Sequence, residues 1–144
     1  MLTTIAHPRL RGEMAELCFF ARAALLGLSV SKPFTDCLPY DLIVGYGNHL
    51  YRVQVKSTIH LHSRDKRYMC HVAPPSKKGK YSPEEVDFIA AYIIPLDLWY
   101  IIPIRDIGGR TISLCPDTPS NRYHPYRERW DLLMTPPRQP ARVV

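Results

Sequence analysis

The 144-residue sequence lacks the signatures of several large protein classes. Its four cysteines form no CxxC pair, which argues against a zinc ribbon or a thioredoxin-type dithiol. There is no glycine-rich phosphate loop, no GxSxG elbow and no Cys/His nucleophile pattern. These absences disfavour nucleotide-driven and acyl-transfer chemistry.

No apolar run is long enough to cross a bilayer as a helix. The longest run, residues 89–104, is interrupted by Pro95, Asp97 and Pro103, and we expect it to form the core of a sheet. The first eight residues show no basic segment followed by an apolar one, so export is not expected. The sequence therefore predicts a cytoplasmic protein that does not associate with a membrane.

The composition predicts one globular domain with a basic surface. The chain is 46% hydrophobic and 22% charged, and its length suits a single domain. The formal net charge of +6 favours a polyanionic partner. Fourteen prolines against seven glycines predict many rigid breaks between short elements. We expect the domain to span residues 1–134, and residues 135–144, which contain several Pro and Arg, to form a flexible tail.

Two helices have clear signals. Between residues 9 and 27, apolar residues recur at i, i+3, i+4 and i+7, which predicts one buried helix face, and Gly27 fits a C-cap. The predicted face comprises Met14, Leu17, Cys18, Ala21, Ala24, Leu25 and Leu28. Ser82 and Glu85 form a capping pattern around a proline, which predicts a second helix over residues 83–90.

Runs of β-branched and aromatic residues predict a sheet. A Gly47-Asn48 turn between two such runs is typical of a β-hairpin. The predicted strands are residues 29–32, 41–46, 49–56, 67–72, 92–94, 98–102 and 111–114, with a last helix over residues 126–133. We therefore expect an α/β fold in which helices flank a mixed, mostly antiparallel sheet.

The predicted hairpin sorts its side chains onto two faces. With Gly47 and Asn48 as the turn, Asp41 faces Gln54. Strand alternation gives one apolar face, expected to be core, made of Leu42, Val44, Tyr51, Val53 and Val55. The other face carries Asp41, Ile43, Arg52, Gln54 and Lys56. A carboxylate, an amide and an ammonium thus converge beside the Val55 carbonyl, and such oxygen ligands suit Mg²⁺ or Mn²⁺. The alternative is a solvated face with an ordinary Asp/Lys pair.

Glu16 is a second acidic candidate. Its helical neighbours are small or apolar, namely Gly12, Phe19, Phe20 and Ala23. A half-buried carboxylate needs a cation or a hydrogen-bonded partner. That partner is either a metal ion or a lysine or arginine at the helix surface, and the sequence leaves both open.

Three segments together resemble the PD-(D/E)XK nuclease superfamily. They are residues 11–16 in a helix (Arg-Gly-Glu-Met-Ala-Glu), residues 39–41 at a strand start (Pro-Tyr-Asp), and residues 53–58 at a strand end (Val-Gln-Val-Lys-Ser-Thr). More narrowly, the chain resembles the branch that contains the cyanobacterial group I intron homing endonuclease, in which glutamine replaces the first acid of the (D/E)XK element. The resemblance implies a restriction-endonuclease-like core.

The resemblance also implies an activity and residue roles. It implies a metal-dependent DNA endonuclease that hydrolyses phosphodiester bonds and leaves a 5′-phosphate. Asp41 would be the main metal ligand, completed by Gln54 and the Val55 carbonyl. Glu16 would bind or orient metal and water, and Lys56 would position the attacking water or stabilise the phosphate charge. The implied ion is Mg²⁺, with Mn²⁺ as a substitute. Because Gln54 is neutral, a catalytically weak or inactive DNA-binding module of the same fold is the alternative.

DNA is the implied partner. The basic residues expected to contact it are Arg52, Lys77, Lys78 and Lys80. For the three lysines, a solubilising loop is the alternative. Cutting both strands needs two active sites or sequential action, so we expect a homodimer or a higher homo-oligomer. An unrelated protein-interaction domain is the remaining alternative, and it would not bind DNA even at low salt.

Overall fold

A computed structural model of the chain describes residues 6–75 and 79–139, which contain eight β-strands and two α-helices. The helices are α1 (Pro8–Leu25) and α2 (Asp131–Met134). The strands are β1 (Ser29–Ser31), β2 (Leu42–Tyr46), β3 (His49–Thr58), β4 (Leu61–His62), β5 (Arg67–His71), β6 (Phe88–Ile93), β7 (Leu98–Pro103) and β8 (Thr111–Leu114). Short 3-10 turns connect several of them.

Five strands form a central sheet in the order β1-β2-β3-β6-β7. Its pairs are antiparallel except for β3 and β6, which run parallel. The segment between β3 and β6 contains β4 and β5, which join β8 in a separate three-stranded antiparallel sheet. The predicted α/β class with a mixed, mostly antiparallel sheet is therefore confirmed.

Both faces of the central sheet are covered. Helix α1 packs on one face in a cluster that includes Phe19, Val44, Val53, Trp99, Trp130 and Leu133. The three-stranded sheet packs on the other face in a cluster that includes Cys70, Ile89, Ile93, Tyr100, Ile102 and Leu114. Strand β6 alternates between the two clusters and is buried along its whole length. Burial on both sides explains why this part of the sequence is an unbroken apolar run.

The β2–β3 hairpin has the predicted register. Tyr46 pairs with His49 and Leu42 pairs with Val53 around the two-residue turn. Gly47 adopts φ +57° there, a left-handed conformation that glycine tolerates at little cost. The five apolar residues of the predicted core face all lie in the cluster under α1. The opposite, polar face remains for the site.

Both ends of α1 follow local sequence signals. Pro8 occupies the first helical position, where its missing N–H removes no intrahelical bond. After the helix, Gly27 has φ +83°, and the Leu28 N–H donates to the Ala23 carbonyl at 3.0 Å. This is the glycine C-cap that the sequence predicts.

The predicted buried face is wrong within α1, although Leu28, which follows the helix, is buried as predicted. The residues that are buried are Ala15, Phe19 and Ala23, while Leu17 is 69% and Leu25 is 85% exposed. Apolar residues occur on both sides of this helix, so their spacing does not select one face. The two alanines flanking Phe19 let the helix approach the sheet closely.

The predicted helix over residues 83–90 is also wrong. Its capping contacts do form, because the Glu84 N–H donates to Ser82 Oγ at 3.1 Å and the Ser82 N–H donates to the Glu85 carboxylate at 3.3 Å. The chain makes one turn and then enters β6 at Phe88. Strand pairing and burial on two faces outweigh the local helix signal.

The C-terminal region is less helical than its sequence indicates. The helix predicted over residues 126–133 is reduced to α2. Residues 135–139 have no regular secondary structure, and the Thr135 carbonyl accepts a hydrogen bond from the Tyr51 hydroxyl at 2.6 Å. The last five residues of the predicted tail lie outside the described residues. In the part of the chain that the structure describes, no helix has the length and hydropathy to span a membrane.

Candidate active site

A cleft of about 390 Å³ opens on the polar face of the hairpin, where β3 extends past the first residue of β2. One wall comes from the loop between β1 and β2, and the other comes from the segment before β6. Its lining includes Pro39, Asp41, Gln54, Lys56, Tyr81 and Glu85. The structure thus brings together three of the predicted site residues, Asp41, Gln54 and Lys56.

Asp41 is a half-buried carboxylate with one fixed oxygen. Its backbone N–H donates to the Val53 carbonyl at 3.0 Å, which continues the β2–β3 pairing by one residue. Its Oδ2 accepts a hydrogen bond from the Val55 N–H at 2.8 Å. Desolvation raises the pKa of Asp41 to about 6, although the bond from Val55 acts in the opposite direction. Such a group gains from a nearby cation.

The Val55 carbonyl lies on the same side of β3 as this carboxylate. In a strand, the N–H and C=O of one residue point to the same neighbour. The Val55 N–H donates to the carboxylate of Asp41, and Asp41 directly precedes Leu42, the first residue of β2. We therefore expect the Val55 carbonyl to be directed to the open edge beyond that strand.

Lys56 is a half-buried ammonium at the back of the cleft. Its Nζ is 3.4 Å from the Ala73 carbonyl and 5.5 Å from the centre of the Tyr81 ring. Burial lowers the pKa of Lys56, while the charge of Asp41 raises it. Gln54 lines the same cleft, and its amide makes no hydrogen bond to the described part of the chain. The amide oxygen is thus available to a ligand.

Glu16 stands apart from the lining residues of the cleft, on α1. Its side chain is 21% exposed, and its Oε2 lies 2.7 Å from Lys32 Nζ. The structure thus gives Glu16 a basic partner, which comes from the end of β1 and not from the helix. Glu16 is still close enough for its charge to raise the pKa of Asp41. The two acids belong to one electrostatic cluster.

The donor set of the cleft suits a hard divalent cation. Asp41 offers its second carboxylate oxygen and Gln54 an amide oxygen, and the Val55 carbonyl is expected at the same edge. Mg²⁺ and Mn²⁺ prefer such oxygen ligands. No group of three or more His, Cys, Asp and Glu residues that could hold a metal occurs within residues 6–75 and 79–139. A cation here would thus depend on neutral oxygens as well as carboxylates.

The predicted DNA contacts differ in their surroundings. Arg52 forms an ion pair with Asp87, with 3.0 Å between its Nη2 and the Asp87 Oδ1, and it also donates to the Pro83 carbonyl. Its donors therefore hold the segment before β6. Lys80 is exposed, and Lys77 and Lys78 lie outside the described residues.

Sequence reasoning missed three residues around the cleft, Tyr81, Glu85 and Lys32. Tyr81 and Glu85 reach it because the parallel pairing of β3 and β6 carries their segment alongside β3. Lys32 directly follows β1. The sequence predicted it as the last residue of that strand and gave no indication that it lies near the site.

Two comparisons with known proteins bear on this site. The model of a family described as PD-(D/E)XK endonuclease matches residues 6–133. Among solved structures, the chain is similar to one titled "The structure of a bacterial homing endonuclease: I-Ssp6803I", with a TM-score of 0.77 and 28% identity over 88% of this chain and 92% of that chain. No curated protein sequence matches. The family match includes every residue of the cleft.

Proposed function

The chain belongs to the PD-(D/E)XK endonuclease family, and from this membership we propose that it is a metal-dependent endonuclease that hydrolyses phosphodiester bonds in DNA. Its fold has the restriction-endonuclease-like core implied by the sequence resemblance. The observation that carries the proposal is the cleft itself, in which Asp41, Gln54 and Lys56 converge. The similar structure is titled a homing endonuclease, which supports DNA as the substrate here.

Mg²⁺ is the proposed ion, with Mn²⁺ as a substitute. Asp41, Gln54 and the Val55 carbonyl would hold it, and Glu16 would act beside Asp41. When bound, such a cation neutralises negative charge on the phosphate during attack and departure. The fixed Val55 bond keeps one Asp41 oxygen in place, so the other can face the ligand.

Lys56 supplies the second positive charge of the proposed site. Its half-buried ammonium has few competing acceptors, since within residues 6–75 and 79–139 the Ala73 carbonyl, at 3.4 Å, is its one hydrogen-bond partner. A fixed ammonium in a partly desolvated cleft stabilises charge that develops on a phosphate more strongly than a mobile one in water. We propose that Lys56 performs this role or positions the attacking water.

A catalytically weak or inactive DNA-binding module remains the second candidate. It is favoured by Gln54, because a neutral amide binds Mg²⁺ less strongly than a carboxylate does. Such a module would bind DNA in a salt-dependent manner without needing a divalent ion.

Cleavage of supercoiled plasmid and of a branched-DNA panel tests the proposal. Wild type, Asp41→Ala, Lys56→Ala and the control Asp117→Ala, which removes an exposed carboxylate, are compared with Mg²⁺, Mn²⁺ or EDTA. We expect metal-dependent nicking in wild type and the control and none in the two cleft variants. Cleavage that survives both cleft substitutions would contradict the assignment. Tight binding without cleavage would favour the inactive module.

We further propose that DNA contacts involve Arg52, Lys77, Lys78 and Lys80, and that the active form is a homodimer or a higher homo-oligomer. Light scattering after size exclusion should then give at least twice the chain mass of 16.6 kDa. Lys80→Ala should weaken DNA binding and reduce its dependence on salt. A cytoplasmic location stays a prediction of the sequence.

A further inference from the structure

Lys32 contacts one acidic group of the site, Glu16, and its charge acts on the other, Asp41. It directly follows β1, whose last residue, Ser31, pairs with Ile43 of β2. Asp41 lies just before β2, so the end of β1 and the start of β2 meet beside the cleft. From there the Lys32 ammonium reaches α1 and approaches Glu16 Oε2 to 2.7 Å.

Lys32, Glu16 and Asp41 carry a combined charge of about −1 when all are ionised. Lys56, which lines the cleft, adds a positive charge near Asp41. The charge of Glu16 raises the pKa of Asp41, and the charge of Lys32 lowers it. In return, the hydrogen bond with Glu16 raises the pKa of Lys32. Lys32 therefore neutralises one of the two carboxylates that a cation would otherwise meet.

The contact with Lys32 also decides what Glu16 can bind. A charge-assisted bond at 2.7 Å occupies one carboxylate oxygen of Glu16, whose side chain is 21% exposed. The Lys32 side chain is 66% exposed, so the pair is screened by water and can open. The ammonium is thus a removable competitor for a metal ion at Glu16.

We propose that Lys32 is a positioning residue whose ammonium holds Glu16 and competes with divalent metal ions for it, which keeps the metal affinity of the free protein low. This inference rests on the proposed function, because it assumes that a divalent ion binds beside Asp41. It adds that a metal ion must either displace the Lys32 ammonium from Glu16 or bind beside it.

Titration calorimetry with Mn²⁺ in the absence of DNA tests the inference. Lys32→Met keeps the volume of the side chain and removes its charge. We expect its Mn²⁺ dissociation constant to fall about 5- to 10-fold, the size of effect given by one screened charge near a divalent ion. The matched control Lys66→Met, in the turn between β4 and β5, should bind Mn²⁺ like wild type. Thermal unfolding of each variant verifies that it is folded.

A double-mutant cycle separates competition from a general effect of charge. In a Glu16→Gln background, Lys32→Met should tighten Mn²⁺ binding clearly less than in wild type, because only the direct effect of the Lys32 charge on Asp41 remains. Unchanged or weaker Mn²⁺ binding by Lys32→Met, or equal tightening in both backgrounds, would overturn the inference.

Asp41→Ala distinguishes this failure from failure of the proposed function. If Asp41→Ala abolishes Mn²⁺ binding while Lys32→Met leaves it unchanged, only the role of Lys32 is wrong. If neither wild type nor Lys32→Met binds Mn²⁺, or if Asp41→Ala binds it like wild type, the proposed metal site and the role of Lys32 are both overturned.

Discussion

An ion pair between Arg52 and Asp87 is central to the contacts that hold one wall of the cleft, the segment before β6, to β3. Arg52 donates from Nε to Asp87 Oδ2 and from Nη2 to Asp87 Oδ1, both at 3.0 Å. The Arg52 backbone N–H donates to the same carboxylate at 2.7 Å. The guanidinium also contacts the carbonyls of Pro83 and Glu84. Asp87→Ala removes the acceptor of the first three of these hydrogen bonds and should loosen the wall.

The expected loss in the free energy of unfolding is about 2–3 kcal/mol. A hydrogen bond to a charged group contributes roughly 1.5–3 kcal/mol when its partners are shielded. The Arg52 and Asp87 side chains are 30% and 28% exposed. Water can therefore replace part of the hydrogen bonding that the guanidinium loses in the variant. The Arg52 N–H is left without its acceptor, which costs roughly 1–3 kcal/mol by itself. For a domain of this size, the unfolding midpoint should fall by about 5–9 °C.

Thermal and urea denaturation followed by circular dichroism measure this loss. Asp131→Ala is the matched control, because Arg129 contacts both Asp131 oxygens at 2.8 and 2.9 Å while the side chains are 44% and 59% exposed. We expect the control to lose less than about 1 kcal/mol. Equal losses in the two variants would refute the argument that shielding from water makes the Arg52–Asp87 pair contribute more to stability than the Arg129–Asp131 pair.

Three other changes have defined outcomes. Because the pKa of Asp41 is raised to about 6 from 3.8, its neutral form favours folding at low pH, and this contribution is lost as pH rises through 6. Metal-free Asp41→Asn should therefore be more stable than wild type near pH 7.5, by on the order of 2 kcal/mol, and nearly equal to it near pH 4; urea denaturation at both values checks this. Tyr81→Leu should slow plasmid nicking about tenfold because Lys56 loses the ring beneath its ammonium, whereas Tyr81→Phe should keep the wild-type rate. Phe19→Ala should cost about 3–5 kcal/mol in urea denaturation, since its buried ring lies 5.4 Å from that of Trp99, and a loss under about 1 kcal/mol would contradict that packing.

The part of the site built by local structure was predictable from the sequence. A two-residue turn fixes the register of the β2–β3 hairpin, so the shared polar face of Asp41, Gln54 and Lys56 follows from strand alternation. The apolar face follows for the same reason. Neither result depends on any distant part of the chain.

The errors arise where distant partners decide between local options. The segment before β6 carries the capping signals of a helix. Residues 88–93 nevertheless form a strand, because they pair with β3 and are buried between two apolar layers. On α1, Leu17 and Ala15 are both apolar, and the shape of the sheet surface selects the smaller one for burial. Tyr81 and Glu85 were missed because the parallel pairing that brings them to the cleft has no signal in their own sequence.

The two walls of the cleft also differ in the length of chain that must close to build them. The hairpin closes over a two-residue turn, whereas β6 must return across the chain between Thr58 and Phe88 to lie against β3. Loop-closure entropy and parallel pairing make the second event the slower one, while hairpins form in roughly microseconds. We therefore expect the hairpin that carries Asp41, Gln54 and Lys56 to form early in folding. The wall formed by the segment before β6 should form late. A chain still emerging from the ribosome would then carry its candidate ligands without a cleft, and would lack the proposed nuclease site until folding is complete.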